Sequence, residues 1–384
     1  MLDALARKAG HGPASLAQTD AWKAAAKEAV AEPDMTAFLD CQSMMKKLME
    51  AGGRDTAVLT AFQSFLPEFV SVSTKFDGRL MRERAYAQFK MVLPRSESKH
   101  RSLAFTGEDT FAYVETNVAG AVAAVEKIAE FEPSIKDSSE LGQFGLSFDD
   151  IPKTFGSEIA IVSDWESGAL AFPTLFASVE LKDAEKGRKF GGLITSAMGS
   201  GGEVIQKDYH GTMLWSLKGP IPLFQPTLAV TDTHLMFGIN QGSVTAALDH
   251  AKDGKSIAGS APFVAAMKTV ADSNDGLAYV DCGRLVERLY ERARPFITDA
   301  IAHSPELAKH FDVSLLPKIE TLKRNMPSFL AGFQAGEHGY VIESTGPVTY
   351  LSGVGGAAFL GGFFTFKRQA AHAAEEAARA QKDR

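Results

Sequence analysis

Part of this chain occurs twice, and that constrains its fold more than any other feature. Laid against itself at an offset of 241 residues, the stretch 15–48 matches 256–289 without a gap. Ten positions are identical (Ser15, Ala17, Ala24, Ala25, Lys27, Asp34, Ala37, Asp40, Cys41 and Leu48), where about two are expected by chance. Conservative pairs fill much of the rest: Leu16 with Ile257, Trp22 with Phe263, Phe38 with Tyr279, Met44 with Leu285, Lys47 with Arg288. One local fold is therefore built twice, and a role given to a residue in one copy must suit its counterpart.

Both copies read as helix, strand, helix. Trp22, Ala25, Ala26 and Ala29 fall at i, i+3, i+4 and i+7, and Phe263, Ala266, Met267 and Val270 repeat that stripe. Thr19 and Ser260 precede the two helices as caps, with Pro262 just inside the second. "TAFLD" and "LAYVD" are short strands, each ending in Asp-Cys, and the helices that follow turn Met44, Met45, Leu48 and Leu285, Val286, Leu289 inward. A hairpin follows each copy, turning at Asp77-Gly78 and at His338-Gly339.

The second copy also has an upstream part. "DTFAYVETN", "SEIAIVSDW", "FPTLFASVEL", "EVIQKDYHGTMLWSL", "TLAVTD" and "HLMFGIN" read as strands; 118–131, "DAEKGRKFGGLITSAM" and "QGSVTAALDHA" read as helices. The order predicts an α+β fold of two related units, each an antiparallel sheet with helices on one face, plus a C-terminal helix. The divisions are 1–101, a partial first unit; 102–346, a complete second unit; 347–366, a transmembrane helix; and 367–384, a charged Ala-rich tail. A full first unit would need about 140 residues ahead of Met1, with an export signal before them.

Composition narrows the function classes. A chain of 384 residues with 45% hydrophobic content can bury a large core. Net charge of −7, with no dense basic block, argues against nucleic acid as a partner. Two cysteines make no disulfide framework. The first twenty residues lack the apolar run of a signal peptide.

The succession "FGSEIAIVSDW", "PTLFASVELKDAEKGRKF", "YHGTMLWSL", "PTLAVTDTHLMFGINQGSVTAALDHAKDGKSIAGSAPFVAAM" and "GLAYVDCGRLVERL" resembles the bacterial family called domain of unknown function 3352. The resemblance covers about 103–347 and, through the repeat, 5–92. It implies an exported or membrane-anchored protein and brings no activity with it.

The sequence offers no catalytic, cofactor-binding or metal constellation. Asp40 and Asp281 are read as helix caps, with Cys41 and Cys282 as small buried fillers, because no histidine lies near either thiol and no C-x-x-C occurs. His303 and His310 form no ligand pattern, and "GSGGE" at 199–203 lacks the Lys-Ser/Thr ending of a phosphate loop. Asp149 and Asp150 read as a helix entry capped by Ser147 or Asp149. From 348 to 366 the chain carries no charge and then meets Lys367 and Arg368, a membrane helix with its C-terminus inside and the bulk in the periplasm or exterior. Gly353, Ala357 and Gly361 give that helix a small-residue stripe for self-association.

The expected function is a non-catalytic, membrane-anchored binding or scaffold protein for a small-molecule or protein ligand. One alternative is an enzyme with a cleft between the units, drawing on Asp149, Asp150, Asp164, Glu166 and His210. Another is a soluble cytoplasmic protein whose tail packs on its own sheet.

Overall fold

A computed structural model describes residues 15–52, 66–90, 98–117, 139–166, 172–219, 224–270, 273, 275–310, 312–336 and 339–350. The predicted helix at 118–131 and the tail residues Gly353, Ala357 and Gly361 lie outside them. The strands form one antiparallel sheet. Its members are β1 (Met35–Asp40), β2 (Phe69–Asp77), β3 (Leu80–Gln88), β4 (Thr110–Asn117), β5 (Phe155–Asp164), β6 (Phe176–Leu181) and β7 (Val204–Tyr209). They continue with β8 (Thr212–Leu217), β9 (Thr227–Val230), β10 (His234–Gly238), β11 (Gly276–Val280), β12 (Phe329–Ala335) and β13 (Gly339–Gly346). Across the sheet the order is β1-β2-β3-β13-β12-β11-β4-β5-β6-β10-β9-β8-β7.

One continuous sheet stands where a separate sheet for each unit was expected; in it β3-β2-β1 run outward on one side of the β3–β13 pairing and β13-β12-β11 on the other. The halves join where β3 pairs antiparallel with β13, from Gly339 opposite Gln88 to Gly346 opposite Met81. Helix α1 (Asp20–Lys27) is capped by Thr19, whose hydroxyl accepts the Trp22 N–H at 3.2 Å. Trp22 then packs edge-on against Phe38 at 5.6 Å, and Phe263 against Tyr279 at 5.0 Å. Helix α2 (Cys41–Gly52) follows β1 directly.

The other long helices are α3 (Ala184–Ser200), α4 (Gln241–Asp253), α5 (Ala261–Met267) and α6 (Cys282–His303). They do not keep to one face, which corrects the expectation from sequence. Val244 and Ala247 of α4 and Phe263 and Ala266 of α5 share a core with Ala229, Met236, Tyr113, Tyr279 and Leu330. Leu228 and Val230, the neighbours of Ala229 on β9, point to the opposite face and pack there with Ile194 of α3. Side chains alternate along a strand, so a strand covered on both sides is buried at every position, as all four residues of β9 are. The face of Leu228 also carries Ala278, Phe329, Ala331 and Phe333, packed with Cys282 at the start of α6 and with Tyr350.

Two further expectations are corrected. Met44 and Leu289, read as inward, are 41% and 51% exposed, whereas Met45 is buried. The predicted membrane span from 347 does not begin as a helix. Its described residues turn back onto the sheet: Thr349 donates its hydroxyl to Glu83 at 2.7 Å, the Tyr350 N–H donates to Ser344 Oγ at 3.1 Å, and the Tyr350 ring meets Phe333 at 5.5 Å. Among the described residues no helix is long and apolar enough to cross a membrane.

Candidate functional site

Asp40 and Asp281 stand where a strand turns into a helix. Asp40 accepts the Ser43 N–H at 2.8 Å, and Asp281 accepts the Arg284 N–H at 2.9 Å. Each bond satisfies a donor of the first helical turn, which has no partner within the helix. The Ser43 N–H holds the Asp40 carboxyl below its usual range. Beside them, burial pushes both the Cys41 and the Cys282 thiol up, away from the nucleophilic thiolate.

The residues considered for a cleft enzyme are not brought together. Asp150 accepts from Ser147 N–H and hydroxyl, both at 2.8 Å, and pairs with Lys186 at 2.6 Å, which holds its carboxyl far below the usual range. Exposed Asp149 is its neighbour, just before β5. Asp164 lies at the far end of that strand, buried and bonded to the Thr110 hydroxyl, with exposed Glu166 two residues on. Ten residues of strand separate the two pairs by about 30 Å. His210 sits in the β7–β8 turn with φ +53°, its ring on Tyr209 at 4.5 Å.

The structure gathers a different set, which sequence reasoning missed. Glu115, fully buried on β4, accepts the Tyr113 hydroxyl at 2.7 Å and the Ser98 hydroxyl, and lies 2.6 Å from His100 Nδ1. Tyr113 Oη also meets Ser102 Oγ at 2.9 Å. Next to it, buried Glu158 on β5 accepts the N–H groups of Arg101 at 3.0 Å and Ser102 at 2.6 Å. The bond to Glu115 raises the His100 imidazole above its usual range, and burial pushes the Tyr113 phenol far up. Two buried carboxylates thus pin the segment before β4 onto the sheet, and every oxygen so used is unavailable to a ligand. The sequence signal was an acidic residue at a buried position of an alternating strand, Glu115 in "TFAYVETN" and Glu158 in "GSEIAIVSD".

An accessible place lies at the start of α6, a pocket of about 540 Å³ lined by Glu108, Lys255, Ser260, Tyr279, Asp281 and Arg284 among others. Arg284 is steadied by Asp109 at 3.3 Å and Asp281 at 3.6 Å. Behind it, buried Arg288 donates to the Trp165 carbonyl at 3.0 Å. Burial pushes the Tyr279 phenol up to about 12, so it stays a neutral hydrogen-bonding group. A more apolar recess of about 370 Å³ shares Pro262 and Asp281 with this pocket. The larger volume suits a small ligand held by polar groups of both signs. Among the described residues no group of three or more His, Cys, Asp or Glu side chains could hold a metal ion.

Residues 165–348 match the model of a family described as "Protein of unknown function (DUF3352)". No curated protein and no solved structure matches the chain.

Proposed function

Since residues 165–348 belong to the DUF3352 family of proteins of unknown function, we propose that the protein is a membrane-anchored binding or scaffold protein, its body presented outside the cytoplasm. The observation that carries this reading is the division of labour among its polar groups. Asp40, Asp281, Asp150, Glu115 and Glu158 are all engaged in caps or in pinning loops. The pocket at α6 is lined by Lys255, Glu108 and Ser260, with Arg284 held in its wall by Asp109 and Asp281. Such a wall recognises a polar small molecule or peptide without needing a nucleophile. Residues 15–88 and 256–346 serve as two renderings of one scaffold, joined at β3 and β13.

The anchor is the apolar run that ends at Lys367 and Arg368. With Tyr350 folded onto the sheet, it starts at Leu351. Its remaining length rises about 24 Å as a helix, short of a hydrocarbon core of about 30 Å. Local thinning of the bilayer and snorkelling of Lys367 and Arg368 accommodate the difference, and these cations favour the cytoplasmic side. Gly353, Ala357 and Gly361 would let two such helices approach closely. Fractionation tests the anchor. The full chain should pellet with membranes and need detergent, while a chain ending at Tyr350 should stay in the supernatant. A full chain soluble without detergent refutes the anchor.

A further inference from the structure

We propose that the outer edge of β1 is a strand-acceptor site, filled by an extended polypeptide segment with the chemistry of residues 102–117. The molecule carries its own template for this. Strand β11 is paired on both sides, with β12 and with β4. On the β4 side the Asp281 N–H donates to the Phe111 carbonyl at 2.8 Å, and alternation along the strand aims Tyr279 and Leu277 the same way. Strand β1 is its counterpart and pairs with β2, but among the described residues no strand meets its other side. The Cys41 N–H goes to Glu68 O on the β2 side at 3.1 Å, so the backbones of Asp40, Phe38 and Thr36 face the open edge.

The side chains show the same deficit. Ile257 is 3% exposed and its counterpart Leu16 is 48% exposed. Ile257 lies in the same core as Leu103, Phe105 and Tyr113, and its N–H donates to the Thr106 hydroxyl at 3.1 Å. The described residues from 15 to 88 hold no counterpart of these groups. An edge with no strand partner among the described residues, and with exposed Leu16 beside it, invites strand addition. The template also dictates the occupant: a short turn bearing an aromatic residue and a hydroxyl to cover Leu16, then a strand antiparallel to β1 with an aromatic side chain opposite Phe38. A second copy pairing β1 with β1 would supply the strand but not the turn, and would leave Leu16 bare.

The test adds a fluorescent synthetic peptide of residues 100–117 to the full chain and follows anisotropy. Saturable binding is expected, with a dissociation constant on the order of 10 μM. N-methylation at the peptide's Tyr113, Glu115 and Asn117, whose N–H groups face the acceptor strand, should weaken it about tenfold or more. The same modification at Ala112, Val114 and Thr116 should leave it nearly unchanged. Leu16→Asp in the chain should weaken binding by a similar factor with no change in its urea midpoint, because Leu16 is exposed in the free chain. No saturable signal up to about 1 mM, or equal losses from both methylation patterns, would overturn the proposal. So would a dimer in light scattering whose formation excludes the peptide.

Discussion

Replacing Glu115 by glutamine isolates the charge at the centre of the buried polar set. The amide oxygen can still accept from Tyr113 and His100, and the amide N–H can donate to the Ser98 hydroxyl, so shape and bond number are kept while the charge is lost. Bonds to a charged group contribute about 1.5–3 kcal/mol against about 1 for neutral ones, so Glu115→Gln should cost about 2 kcal/mol near pH 6. In a chain of 384 residues that lowers the melting temperature by about 2–3 °C. The pH dependence has a definite sign. His100 is raised by its bond to Glu115, so its contribution is complete below the unfolded-state value of about 6.5 and is lost as pH rises through the raised folded-state value. Urea unfolding of the parent, Glu115→Gln, His100→Gln and the double variant, at about pH 6 and about pH 9, gives the coupling directly. A coupling of about 1–2 kcal/mol at the lower pH should shrink toward zero at the higher one. A penalty for Glu115→Gln that is equal at both, or larger in alkali, would refute the reasoning.

Three shorter expectations follow from geometry already described. Gly276→Ala should cost more than about 3 kcal/mol by thermal unfolding, because the glycine has φ +151° and a Cβ there would lie 2.4 Å from the Glu115 carbonyl oxygen, which is fixed backbone. Asp40→Ala and Asp281→Ala should each lose about 1 kcal/mol in urea titrations; a much larger loss at Asp281 alone would mean that its contact with Arg284 outweighs the cap. Both thiols should react slowly with iodoacetamide near pH 7.5 in the folded chain and quickly in urea, since burial raises them. Fast native-state labelling of either would contradict this.

The strands and their order of appearance were legible in the sequence, because alternation and turn residues are local signals. The β7–β8 hairpin, for example, is announced by His210-Gly211, and both residues take positive φ. The two matched stretches each hold a paired strand, with Val280 opposite Phe329 and Leu39 opposite Val70. What was not legible is which face each helix covers. That depends on the crossing of separate segments, and α3 and α4 each carry an apolar stripe compatible with either side. The buried set around Glu115 was hidden too. Ser98, His100, Glu115 and Glu158 meet only through the pairing of β4 with β5, where Glu115 stands opposite Ala160, and a chemical search by spacing favours residues that are close in sequence.

The seam between β3 and β13 bears on how the chain is made. Glu83 on one side stands opposite Ser344 on the other, so β3 has no central partner until nearly the whole described chain has been synthesised. At about 5–20 residues per second, its edge waits roughly 15–50 s after leaving the ribosome. Sheets closed by such distant partners fold slowly. Until β13 is made, the β3 backbone groups that pair with it have no strand partner among the described residues, which is the state of an unpaired edge strand open to wrong pairing.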